Sequence, residues 1–136
     1  MLANDINGNH VIQACLFSFQ APDNQFLFDE ICASIVQFGT HRHGCCVVQR
    51  CIDVADEMQR QMIIEAILKD CVTLVQDAYG NYVVQYVLNL NDYEINGRFA
   101  LVFISEMFPL SQQKFSSNVI EKCLELNTPS IQLLMI

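Results

Sequence analysis

The sequence predicts an all-α fold, a curved α-solenoid of stacked helical repeats. Two observations carry that prediction. A short pattern recurs four times at a spacing of 36 residues, as Gly8-Asn9-His10-Val11-Ile12-Gln13, Gly44-Cys45-Cys46-Val47-Val48-Gln49, Gly80-Asn81-Tyr82-Val83-Val84-Gln85 and Ser116-Ser117-Asn118-Val119-Ile120-Glu121. A fixed period between 20 and 50 residues is the mark of stacked repeats, each unit burying its apolar face against the next. Every copy also carries apolar residues at helical spacing.

The first element is a helix opening at Gly8, where Val11, Ile12, Cys15 and Leu16 form an apolar stripe and Asn9 and Gln13 stand four apart on another face. The later copies divide in the same way. Val47, Val48, Cys51 and Ile52 pack while Cys45 and Gln49 are displayed; Val83, Val84, Val87 and Leu88 pack while Asn81 and Gln85 are displayed; Val119, Ile120, Cys123 and Leu124 pack while Ser117 and Glu121 are displayed. Ahead of each later motif lies a second apolar helix. Phe28, Ile31 and Ile35 correspond to Ile64, Ile67 and Cys71 and to Ala100, Phe103 and Met107, stepping three and then four residues. Loops are expected at Gln20–Asn24, Asp53–Glu57 and Asn91–Gly97, so each unit reads as a long helix, a short turn and a second helix.

Composition supports a packed chain. Of 136 residues 52% are hydrophobic, enough for a substantial core. No apolar run approaches the ~18 residues of a membrane span, and Met1–Asp5 lacks the basic start and apolar stretch of a secretory signal. The expectation is a soluble chain acting in the cytoplasm. The chain opens just before one motif helix and stops on a stretch, residues 130–136, that reads as the first helix of another unit. Residues 1–136 are therefore expected to be one segment of a single repeat array, with motifs at 8–13, 44–49, 80–85 and 116–121. Without polar terminal units, self-association through the uncapped ends is expected.

The seven cysteines fall into the repeat register rather than into a ligand pattern. Cys15, Cys51 and Cys123 share one packing position and read as small buried hydrophobes. The number is odd and no CxxC spacing occurs. His41-Arg42-His43-Gly44-Cys45-Cys46 places two imidazoles and two thiols close together, but Asp5–Gly8, Asp77–Gly80 and Gln113–Ser116 occupy the same register. That stretch has a structural task in every unit, and adjacent cysteines on one helical turn converge poorly on a tetrahedral ion. No metal, no cofactor and no catalytic constellation is expected, and the chain reads as a non-enzyme.

The displayed pairs, Asn9 with Gln13, Cys45 with Gln49, Asn81 with Gln85 and Ser117 with Glu121, carry a resemblance. With the wording NGNHVIQ, HGCCVVQR, DAYGNYVVQYVL and FSSNVIEKCLE, they look like the RNA-reading helices of the Pumilio, or PUF, family. The order of the pairs is similar to repeats four to seven of a full eight-repeat member, and the likeness covers essentially the whole chain. It implies that each repeat reads one base of single-stranded messenger RNA, with U, A, U and G in protein order. Because RNA in that family runs antiparallel to the repeats, the implied site is 5′-GUAU-3′ within a UGUA-type element of a 3′ untranslated region. The resemblance also implies post-transcriptional repression or decay of the message, with decay or repression proteins as partners.

The chemistry of the pairs is consistent with that code. An amide both donates and accepts, as the Watson–Crick edge of uracil requires, whereas a carboxylate accepts only and suits the two donors of guanine. Packed helices stand about 8–10 Å apart, while nucleotides along a strand rise ~3.4 Å, so a side chain is expected between successive bases. His10, Cys46, Tyr82 and Asn118 hold that register. Cys46 stands where the family often has Arg, so stacking there is expected to be weaker.

Charge points the other way. Fifteen acidic residues against seven basic ones give a net charge of −8, unlike the basic surface usual for phosphate binding. Four of the cations nevertheless flank the motif helices: Arg42 and Lys114 just before, Arg50 and Lys122 just after the second displayed residue. They are the candidate phosphate contacts. A protein-binding α-solenoid without RNA specificity is the alternative reading, favoured by the acidity and by Cys46.

Overall fold

The computed structural model describes residues 2–135, whose regular elements are all helices, with no strand among the described residues. They fall into two compact units, residues 1–70 and 71–136. The first holds a short 3-10 turn at Leu2–Asn4 and five helices: α1 (Gly8–Ser18), α2 (Gln25–Ala33), α3 (Ile35–Gly39), α4 (Gly44–Val54) and α5 (Glu57–Lys69). The second holds α6 (Cys71–Val75), α7 (Gly80–Leu88), α8 (Tyr93–Ile104), α9 (Met107–Gln112), α10 (Ser116–Leu126) and α11 (Pro129–Met135).

Within each unit the layers follow the 36-residue register. Motif helix packs on motif helix, α1 on α4 and α7 on α10, while the preceding helices pack on one another, α2 on α5 and α8 on α11. The apolar stripes supply the interface. Val47, Val48, Cys51 and Ile52 are all fully buried, as are Val83, Val84, Val87 and Leu88. Burial of each such side chain contributes roughly 1.5–3 kcal/mol.

Three expectations require correction. The second apolar helix of each unit is two helices, not one. It breaks at Ser34, Asp70 and Glu106, so Ile35, Cys71 and Met107 open the short helices α3, α6 and α9. Ser34 has φ −124° and ψ 34°, and its N–H is shared between the carbonyls of Glu30 and Ile31. The apolar steps of three and four continue through the break, so periodicity alone does not reveal it. Two of the three expected loops are also shorter, while the first spans residues 19–24 as expected. Only residues 55 and 56 separate α4 from α5, and α8 already begins at Tyr93, where the Asp92 carboxylate accepts from the N–H groups of Glu94 and Ile95. Gly97 lies inside that helix, and Ile131 Cδ1 of α11 stands 2.9 Å from where a Cβ on it would be.

The stripe of α1 is only partly buried. Val11 is 56% exposed, whereas Val47, Val83 and Val119 are at 0%, and Cys15 is half-buried. Ahead of α1 the described chain has only the turn Leu2–Asn4, in place of the helix pair that precedes α4.

Candidate nucleic-acid interface

Three of the four motif helices open on the same device, and the fourth on part of it. The Asp5 carboxylate accepts from the N–H groups of Asn7 (2.9 Å) and Gly8 (2.7 Å), and the Asp77 carboxylate from those of Tyr79 and Gly80 (both 2.8 Å). The Gln113 side-chain oxygen takes the same pair, Phe115 and Ser116, at 2.8 Å each. In the remaining copy His41 Nδ1 accepts from the His43 N–H at 3.2 Å. These are the helix-start donors that would otherwise lack partners. The bonds from Gly8 and then Asn7 hold the Asp5 carboxyl below its ordinary value of 3.8.

The close approach behind each motif explains its leading residue. A Cβ on Gly8 would overlap the Leu2 carbonyl, one on Gly44 the Phe38 carbonyl, and one on Gly80 would stand 2.5 Å from the Leu74 carbonyl. The fourth copy has Ser116, whose hydroxyl donates to the corresponding Leu110 carbonyl at 2.6 Å.

The first member of each pair is less displayed than the sequence suggests. Asn9, Cys45 and Asn81 are buried, at 3%, 5% and 2% exposure, and Ser117 is half-buried. Asn81 Nδ2 donates to the carbonyls of Asp77 (2.8 Å) and Ala78 (3.0 Å), and its Oδ1 accepts from Gln85 Nε2 at 2.9 Å. Asn9 repeats this arrangement with Asp5, Ile6 (both 2.9 Å) and Gln13 (3.0 Å). Cys45 Sγ donates to the Arg42 carbonyl at 3.3 Å and the Ser117 hydroxyl to that of Lys114 at 3.2 Å. The second members reach further out: Gln13, Gln49 and Gln85 are half-buried and Glu121 is exposed. The intervening residues His10, Cys46, Tyr82 and Asn118 are all exposed, Tyr82 at 57%.

In the second unit these positions converge. Tyr82 and Gln85 of α7 and Asn118, Glu121, Lys122 and Glu125 of α10 line one open groove. It combines an aromatic face, two amides, two carboxylates and a cation, the chemistry a nucleobase and its phosphate could occupy.

A model of the Pumilio-family RNA-binding repeat matches residues 1–32, 34–68, 70–95 and 107–136. The chain belongs to the Pumilio family. Among solved structures of that family, a mutant Puf4 bound to a Cox17 RNA 3′ UTR recognition sequence is 38% identical, with a TM-score of 0.89 over 99% of this chain and 47% of its own. PUF-8 in complex with PBE-RNA is 31% identical, with a TM-score of 0.85 over 98% of this chain and 40% of its own. A Pumilio domain-containing protein of Schizosaccharomyces pombe is 58% identical over 59 residues, 43% of this chain and 9% of that protein. Pumilio homology domain family member 4 of Saccharomyces cerevisiae is 56% identical over 52 residues, 38% of this chain and 6% of that protein. The chain thus spans under half of these Pumilio structures and matches a small part of the full-length relatives. The α-solenoid of stacked repeats is the architecture shared with them.

The flanking cations of this Pumilio segment are unequal. Arg50 is tied to Asp53 at 3.0 Å and lies over the Phe17 ring, 5.9 Å from its centre. Lys114 lies over the Phe115 ring at 5.3 Å, Lys122 lines the groove of the second unit, and Arg42 is exposed. The buried thiols are poor nucleophiles. Burial pushes Cys51 and Cys123 up to about 12, and burial followed by the neighbouring Cys46 pushes Cys45 up to about 11.

One set of residues escaped the sequence reading. Arg60, Asn96 and Gln132 share a register position, and each donates from its side chain to a carbonyl eight residues back: Ile52 (3.2 Å), Leu88 (3.1 Å) and Leu124 (2.6 Å). Those carbonyls lie in the last turns of α4, α7 and α10, so this clasp anchors the far end of each helix. Arg, Asn and Gln have little in common except a long or amide donor, which is why no motif announced it.

Proposed function

We propose that this chain binds single-stranded RNA sequence-specifically, one base per repeat, at 5′-GUAU-3′ within a UGUA-type element of messenger 3′ untranslated regions, and so serves post-transcriptional repression in the cytoplasm. The observation that carries the reading is the groove in which Tyr82, Gln85, Asn118 and Glu121 meet. Two base-edge candidates and two stacking candidates from successive repeats line it together. Membership of the Pumilio family, and RNA in the complexes of its relatives, support the same reading.

In this scheme Gln13 and Gln85 read uracil, Gln49 reads adenine beside Cys45, and Glu121 reads guanine. His10, Cys46, Tyr82 and Asn118 lie against base faces, and Arg42, Lys114 and Lys122 attend the phosphates. Arg50 contributes less, because Asp53 already holds it.

The experiment is a change of code at the fourth repeat. Glu121→Gln with Ser117→Asn recreates the pair of Gln85 and Asn81, so the preferred RNA should change from GUAU to UUAU. The discrimination expected is roughly 1–3 kcal/mol, by analogy with base-edge contacts in DNA. Competition binding in which the parent shows no preference, or the double variant still prefers GUAU, would refute the one-repeat-one-base reading and favour a protein-binding solenoid.

A further inference from the structure

One edge of the first unit carries aromatic side chains that the repeat does not call for. Phe17 and Phe19, where α1 runs into its connection with α2, are 61% and 49% exposed. Their register equivalents are Asp53 and Ala55, Asn89 and Asn91, and Glu125 and Asn127, so no other repeat places a ring at either position. Stacking of the repeats therefore does not explain them. They border an open groove of about 530 Å³ between the α1–α2 and α4–α5 connections, whose apolar surface comes from Leu16, Phe17, Phe19, Ala21, Val54 and Ala55.

The polar groups beneath that surface are already satisfied. Gln59, 2% exposed, donates from Nε2 to Asn24 Oδ1 (2.8 Å) and Gln25 Oε1 (3.1 Å), and its own Oε1 accepts from the Asp56 N–H at 3.2 Å. Asn24 Nδ2 donates in turn to the Phe19 carbonyl at 3.1 Å. These bonds tie the start of α5 to the α1–α2 connection, so the groove is formed in advance. What it offers an occupant is apolar surface rather than hydrogen bonds.

Charge selects the occupant. Asp56 stands on the rim, Glu57 follows it, and Asp23 lies in the turn whose N–H donates to the Gln20 carbonyl at 2.8 Å; all three are exposed. The cations that adjoin the groove are committed, Arg50 to Asp53 and Arg60 to the Ile52 carbonyl, and no Lys or Arg precedes Arg42 in the chain. A phosphate backbone, or a second copy of a chain whose net charge is −8, would bring negative charge to a negative rim. We propose that this groove docks a short basic segment of a partner protein, which inserts an aliphatic or aromatic side chain against Phe17, Phe19 and Ala55 and sets flanking Lys or Arg beside Asp23, Asp56 and Glu57. The docking site stands apart from the base-reading positions and does not depend on the RNA reading above.

The test is a selection of short random peptides displayed on phage against the whole chain, followed by binding measurements on the enriched sequences as synthetic peptides. The enriched peptides should combine an apolar residue with Lys or Arg. Phe17→Asp with Phe19→Ala installs the residues the second repeat has at these positions, and should weaken the peptides about tenfold or more. Asp56→Asn with Glu57→Gln keeps a residue that caps α5 as well as Asp does, and should weaken them about threefold and flatten their salt dependence. In the unsubstituted chain, chemical-shift changes on peptide binding should centre on Phe17, Phe19 and Ala55, a reading that needs no variant. A selection that enriches no peptide, peptides without basic residues, equal binding to the aromatic double variant, or shift changes centred elsewhere would each overturn the proposal. If the aromatic double variant instead loses GUAU RNA about tenfold, or loses a concentration-dependent dimer, while no peptide is enriched, the groove belongs to RNA or to a second copy and the proposal falls.

Discussion

The Ser116 hydroxyl donates to the Leu110 carbonyl at 2.6 Å, at the point where the other three repeats bring a glycine against the same carbonyl. One geometry is thus satisfied by two chemistries: removal of the side chain, or a hydroxyl that converts the contact into a hydrogen bond. Gly80→Ala should destabilise the protein by about 1–3 kcal/mol, because its Cβ would stand 2.5 Å from the Leu74 carbonyl. Ser116→Ala should cost about 1 kcal/mol through the lost bond. Denaturant midpoints at an unchanged slope would check both.

The clasp on the motif helices makes a separate prediction. Asn96 is buried and donates to the Leu88 carbonyl, so Asn96→Ala should cost about 1–3 kcal/mol by leaving that carbonyl without this donor. Hydrogen exchange should show the loosening in the last turn of α7 before the first.

Thiol reactivity should sort by position. At neutral pH an alkylating agent should modify the exposed Cys46 well before the buried Cys45, Cys51 and Cys123, whose thiols are held protonated. Mass mapping after brief alkylation would check the order. Label appearing first on Cys51 or Cys123 would contradict the packing of the motif helices.

Acid should loosen the start of α1. Asp5 is held below 3.8 by the N–H groups of Gly8 and Asn7, so its contribution is fully present above the unfolded carboxylate value and is lost as pH falls through the lowered folded value. A carbon-detected titration should give a midpoint for Asp5 below 3.8, and Asp5→Asn should remove the dependence.

Tyr82 should contribute to RNA affinity through its ring rather than to stability. It is 57% exposed and lines the groove with Asn118. Tyr82→Ala should weaken binding of a GUAU RNA by roughly 1–3 kcal/mol while leaving the thermal midpoint nearly unchanged.

The 36-residue register was enough to define the all-α repeat fold, the four motif helices and the apolar stripes of Val47, Val83 and Val119, because helical periodicity reports directly which face must be buried. It also marked the turn residues Asp5, His41, Asp77 and Gln113 as structural, without saying what they do. The breaks at Ser34, Asp70 and Glu106 were invisible because the apolar spacing carries straight across them. Tertiary structure alone decided that Asn9 and Asn81 are buried and spend their amides on their own turns, and that Val11 lies open while its counterparts are covered. The clasp of Arg60, Asn96 and Gln132 likewise appeared only in three dimensions. Sequence spacing tells which residues share a helix face, but hydrogen-bond commitments depend on which backbone carbonyls come within reach, in the residue's own turn for Asn81 and across a helix connection for Asn96.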